Sequence, residues 1–99
     1  MMGAEAVQSD ERAARVRHIA TGMFAHLNCA VDVTRKGPEV ELRVASNAFE
    51  YYGVAIFRDG DHAGNLEPSI EGLRDQMVES IFLNGARVKA GYPRGHLYK

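Results

Sequence analysis

The sequence predicts an α+β domain ordered helix, three-stranded antiparallel sheet, helix, with room for a short C-terminal strand. Three observations carry that expectation. Apolar residues recur at three- and four-residue spacing over residues 9–27 and again over 69–83, the signature of amphipathic helices. Between these stretches the apolar residues alternate with polar ones, as strands require. A short connection rich in turn residues joins two of the alternating runs.

The first helix takes its stripe from Ala13, Val16, Ile19, Ala20, Met23, Phe24 and Leu27, while Glu11, Arg15, His18, Gly22 and Ala25 fall on the opposite, wet side. Ser9 or Asp10 can cap its start, where acidic side chains also suit the positive end of the helix dipole. Residues 1–8 precede it as a tail. The pattern then switches to period two. Cys29, Val31 and Val33 alternate with Ala30, Asp32 and Thr34; Val40, Leu42 and Val44 alternate with Glu39, Glu41, Arg43 and Ala45. Gly37 and Pro38 between the runs predict an antiparallel hairpin with one apolar and one polar face.

A third run, residues 49–57, is apolar on both sides. Phe49, Tyr51, Ala55 and Phe57 point one way and Tyr52, Val54 and Ile56 the other. Such a strand is either covered on both faces or carries a binding surface on its outer one. Turn residues fill 59–65. The second helix buries Ile70, Leu73, Met77, Val78 and Ile81, starts near Pro68 and ends at Asn84-Gly85. The alternative, a hairpin turned by Asn84-Gly85, is disfavoured because the helical rhythm reaches Ile81. Residues 86–90 can add a last strand, so the single domain covers 9–91 and residues 92–99 form a basic, aromatic tail.

Length and composition restrict the function. Ninety-nine residues make one domain, and 45% hydrophobic content is too high for a disordered chain. One cysteine, Cys29, excludes an internal disulfide framework and a cysteine-based zinc finger. No apolar run approaches the roughly 20 residues of a membrane helix. No secretion signal opens the chain, so a cytoplasmic setting is expected. An initial Met fits a complete small gene product.

The net charge of −1 conceals polarity along the chain. Residues 59–83 hold six acids (Asp59, Asp61, Glu67, Glu71, Asp75, Glu79) against Arg74, whereas residues 84–99 hold Arg87, Lys89, Arg94 and Lys99 with no side-chain acid. An overall balance near zero argues against a dedicated nucleic-acid binder.

Catalytic constellations are weak. His18, His26, His62 and His96 lack metal-ligand spacing, and Asp59-Gly60-Asp61 lacks the remaining calcium-loop ligands. Cys29 is expected to point into the core, where a thiol acts as a small hydrophobe. No Ser sits in a nucleophile elbow, and no Gly-rich segment has the ending of a phosphate loop. His62 with Asp61 or Glu67 is the best acid–base grouping, and solvated turn residues explain it as well. No cofactor, no metal and no enzymatic activity are expected.

Helix, three strands, helix is also the element order of the double-stranded-RNA-binding domain, which the chain resembles in that respect alone. That family's second helix opens with a basic cluster on phosphates. Here the matching stretch, Glu67-Pro68-Ser69-Ile70-Glu71-Gly72-Leu73, is acidic and would repel them.

The expectation is therefore a small non-enzymatic protein-binding module that regulates or inhibits a larger partner, a protein or protein–nucleic-acid complex. A homodimer is admitted. An inhibitor from a phage or mobile element, acting by surface occupation or by acidic mimicry of nucleic acid, fits this description. Its binding residues would be Tyr52, Val54 and Ile56 on the outer sheet face and Glu71, Asp75 and Glu79 on the second helix. The alternative is nucleic-acid binding through Arg87, Lys89, Tyr92, Arg94, Tyr98 and Lys99, where cations interleave with aromatic rings, with help from Arg12, Arg15 and His18.

Overall fold

The computed structural model describes residues 2–60 and 63–93, with side chains for 11–60 and 64–93. Helix α1 (Met2–Met23) leads into strands β1 (Cys29–Lys36), β2 (Glu39–Ser46) and β3 (Tyr52–Arg58), then helix α2 (Leu66–Val78), which continues as a π-helical turn over Glu79–Leu83. The sheet is antiparallel in the order β1-β2-β3. The expected α+β arrangement of helix, sheet and helix is therefore the one observed.

Both helices lie on one face of the sheet. Val16, Ala20 and Phe24 of the first stripe meet Val33, Val40, Leu42, Val44 and Phe57 from the sheet and Leu66, Ile70, Leu73 and Met77 from α2 in a single buried cluster. α1 packs against β1 and β2, and α2 packs against β3 and α1. The core forms because each helix has one apolar stripe and each strand one apolar face, and this layering buries all of them together.

Boundaries differ from the sequence expectation at particular points. α1 starts at Met2 rather than Ser9, because Met, Ala, Glu and Gln before Ser9 are themselves helix formers. It stops at Met23; Leu27 N–H donates to Phe24 O in a turn, and Asn28 at φ 50° sends the chain into β1. Asn is among the few residues that adopt this left-handed conformation readily.

β3 begins at Tyr52 rather than Phe49. The buried Ser46 hydroxyl accepts hydrogen bonds from the Ala48 and Phe49 N–H groups, which folds residues 46–49 into a turn instead of a strand. The second helix starts earlier, at Leu66. It ends as expected at Asn84-Gly85, but through a widened turn in which Asn84 N–H donates to Glu79 O and Ala86 N–H to Ser80 O. Gly85 at φ 67° makes that ending. The final strand reduces to one antiparallel bridge, Phe49 to Val88, flanked by hydrogen bonds from Glu50 N–H to Arg87 O and from Lys89 N–H to Ala48 O.

Candidate binding surface

The sheet's other face carries no helix, and its composition follows from the strand registers. Ala30, Ala45 and Tyr52 form one cross-strand row, Asp32, Arg43 and Val54 the next, then Thr34, Glu41 and Ile56, and finally Lys36, Glu39 and Arg58. The face is divided. Towards β1 and β2 it is charged and internally paired, with Glu41 between Lys36 at 3.2 Å and Arg43 at 3.1 Å; Glu39 meets Arg58 at 3.1 Å. Along β3 it is apolar. Tyr52 is 70% exposed, Val54 39% and Ile56 54%, on alternate residues of an edge strand. Of the two outcomes left open for an all-apolar strand, the structure gives the open outer face.

The Tyr52 end of this stripe borders a shallow groove of about 730 Å³ lined by Arg43, Ala45, Glu50, Tyr51, Tyr52 and Lys89. The sequence reading singled out Lys89 and Tyr52 for different surfaces, and the fold brings them to one. Arg43, Ala45 and Glu50 were not anticipated there. The alternation of β2 placed Arg43 and Ala45 outward, but the register against Val54 and Tyr52 is a long-range fact. Phe82 and Leu83 are also exposed; they follow Ile81, the last residue of the apolar stripe of α2, and lie off that stripe.

The other expected site residues are placed as follows. Glu71, Asp75 and Glu79 all lie exposed at four-residue spacing. Arg74 sits among them, 3.8 Å from Glu71 and 3.3 Å from Asp75, and offsets part of their charge. Arg87 and Lys89 are exposed. Tyr92 is drawn inward, where its hydroxyl accepts a hydrogen bond from Asn28 Nδ2 at 2.8 Å. Arg94, His96, Tyr98 and Lys99 lie outside the described residues, as do Asp61 and His62 of the acid–base grouping. Arg15 and His18 are exposed on α1, whereas Arg12 bonds the Asp59 carbonyl at 3.2 Å beside the Arg35–Asp59 ion pair at 2.7 Å.

Among the described residues, two groups have shifted acidities. Burial pushes both the Cys29 thiol and the Tyr51 phenol above their ordinary values. Cys29 Sγ lies 3.6 Å from Phe24 O and packs beside the core cluster, and burial there disfavours the thiolate. Among the described residues no three His, Cys, Asp or Glu side chains converge as metal ligands, and no helix is long and apolar enough to cross a membrane. No family model, no curated protein and no solved structure matches this chain.

Proposed function

We propose that the chain is a non-enzymatic protein-binding module that regulates or inhibits a larger partner by occupying its surface through the outer face of β3. The observation that carries this reading is the stripe of Tyr52, Val54 and Ile56, three large apolar side chains held in the open on one edge of an otherwise charge-paired face. Contiguous apolar side chains left open by their own fold mark interaction sites, and tyrosine, here Tyr52, is among the residue types that most often dominate interface energetics. Mimicry of nucleic acid by Glu71, Asp75 and Glu79 has weaker support, since Arg74 neutralises part of that array.

The test is affinity capture from a native lysate with nuclease present, comparing the unaltered chain with Tyr52→Ala, Ile56→Lys and a Glu71→Lys/Asp75→Lys/Glu79→Lys triple variant. Sheet-face binding predicts a stoichiometric protein lost with the first two variants and kept by the third. The opposite pattern establishes mimicry instead. A second reading, single-stranded nucleic acid in the groove, draws support from Lys89 and Arg43 beside the exposed Tyr52 ring. It predicts capture that nuclease abolishes and an affinity that falls steeply with salt.

A further inference from the structure

From the hydrogen-bond parity of the sheet we infer that the outer edge of β3 receives an extended segment of the partner protein as a fourth strand. This rests on the sheet-face reading above and specifies what binds there. In an antiparallel ladder only alternate residue pairs exchange hydrogen bonds. Ser46 N–H donates to Tyr51 O at 3.0 Å, and the same register pairs Val44 with Gly53, Leu42 with Ala55 and Val40 with Phe57. These odd-numbered residues of β3 are therefore the ones bonded to β2. Tyr52, Val54 and Ile56 turn their N–H and C=O groups the other way, towards the edge.

The two edges of the sheet are treated differently. Just beyond β2, Asn47 N–H donates to Asn28 O, so by the same alternation the Val33 carbonyl points outward from β1. There it accepts a hydrogen bond from Arg17 of α1 at 3.3 Å. A cationic side chain laid on an edge is a common protection against further strand pairing. No described side chain bonds the outward backbone groups of Tyr52, Val54 or Ile56. The residues that present those groups also present the exposed apolar side chains. An added strand would satisfy both at once, with its main chain on the edge and its alternate side chains beside the stripe.

The occupant is a lone extended segment rather than a second copy of this chain. α2 lies directly beneath β3 and not beneath β2; a Cβ built on Gly53 would stand 2.7 Å from Leu73 Cδ1. Paired strands are about 4.8 Å apart, whereas packed helix axes need about 8–10 Å. Two copies joined through β3 would drive their α2 helices into one another. A segment with no helix beneath it meets no such obstacle.

The test uses the full chain, immobilised, to select peptides from a random twelve-residue display library; the selected peptides are then synthesised. The inference expects alternating apolar sequences whose binding slows amide hydrogen exchange at Tyr52, Val54 and Ile56 at least tenfold. N-methylation at alternate positions of the peptide should abolish binding, and methylation at the intervening positions should leave it within about threefold. Val54→Pro, which removes an outward N–H not used by β2, should abolish binding while the fold persists. The methylation scan decides the matter if that variant does not fold. Peptides that depend on Tyr52 and Ile56 side chains yet leave those amides unprotected would overturn the inference and keep the sheet-face reading. Selection of no peptide, or binding indifferent to both side chains and amides, would overturn the inference; the latter removes the sheet-face reading too. Sedimentation as a dimer with the same amides already protected would assign the edge to a second copy and overturn it as well.

Discussion

Replacing Gly53 by Ala probes the contact that places α2 under the binding strand. Gly53 lies opposite Val44 on the inner face of β3. An added Cβ would stand 2.7 Å from Leu73 Cδ1, 3.0 Å from the Tyr51 hydroxyl oxygen and 3.6 Å from Leu73 Cγ. Unstrained carbon atoms approach to about 3.5–4.0 Å, so Leu73, only 6% exposed, must be displaced by most of an ångström. Overpacking of this kind costs about 1–3 kcal/mol. Restricting the unfolded chain returns about 0.4–1 kcal/mol. The difference runs from near zero to about 2.6 kcal/mol and centres on a loss of about 1.3 kcal/mol, or about 5–10 °C in Tm for a domain of this size.

Urea unfolding followed by far-ultraviolet circular dichroism measures it, in a cycle with Leu73→Ala. Alone, Leu73→Ala should cost about 2–4 kcal/mol through the cavity it leaves. In the double variant the new methyl enters that cavity, so the two losses should fall short of additivity by about 1 kcal/mol. A Gly53→Ala variant as stable as the parent, with strictly additive behaviour against Leu73→Ala, would refute the close approach of α2 to β3.

Three further outcomes are expected. Ser46→Ala strips a 1% exposed hydroxyl that accepts from two backbone N–H groups, those of Ala48 and Phe49, and should cost about 1–3 kcal/mol in the same urea assay. Tyr92→Phe removes the acceptor for Asn28 Nδ2, costs about 0.5–1.5 kcal/mol, and should speed limited proteolysis within residues 86–93. Alkaline pH should destabilise the fold. Cys29 and Tyr51 hold their protons more tightly when folded, so above their ordinary values of 9.0 and 10.0 the unfolded chain loses protons that the folded chain keeps. Urea midpoints should be flat with respect to these two groups below about pH 8 and decline as pH rises through those values. Replacing Cys29 by Ala should remove the earlier part of the decline.

Local periodicity alone carried the class and the order of elements. The stripe from Ala13 to Leu27 and the alternation from Cys29 to Val44 are repeated many times over, so each is legible without knowledge of its neighbours. The element ends were less legible, because single interactions set them. Asn28 stops the approach to β1 by adopting a positive φ, and one buried hydroxyl, Ser46, turns residues 46–49 away from β3. Neither event leaves a periodic trace. The widened turn after Val78, closed by hydrogen bonds from Asn84 to Glu79 and from Ala86 to Ser80, likewise has no periodic signature.

The candidate surface shows the same division. The sequence by itself determined that Tyr52, Val54 and Ile56 share a face, because side chains on a strand alternate whatever surrounds them. It also determined that Glu71, Asp75 and Glu79 share the outer side of a helix. Only the tertiary structure decided that β3 is an edge, that both helices cover the opposite face, and that Arg17 bonds the outward Val33 carbonyl of β1 while no side chain among the described residues bonds the outward amides of β3. Strand order and helix placement depend on contacts between residues far apart in the chain. Those contacts are chosen by how the apolar faces fit together, not by the local rhythm that creates each face.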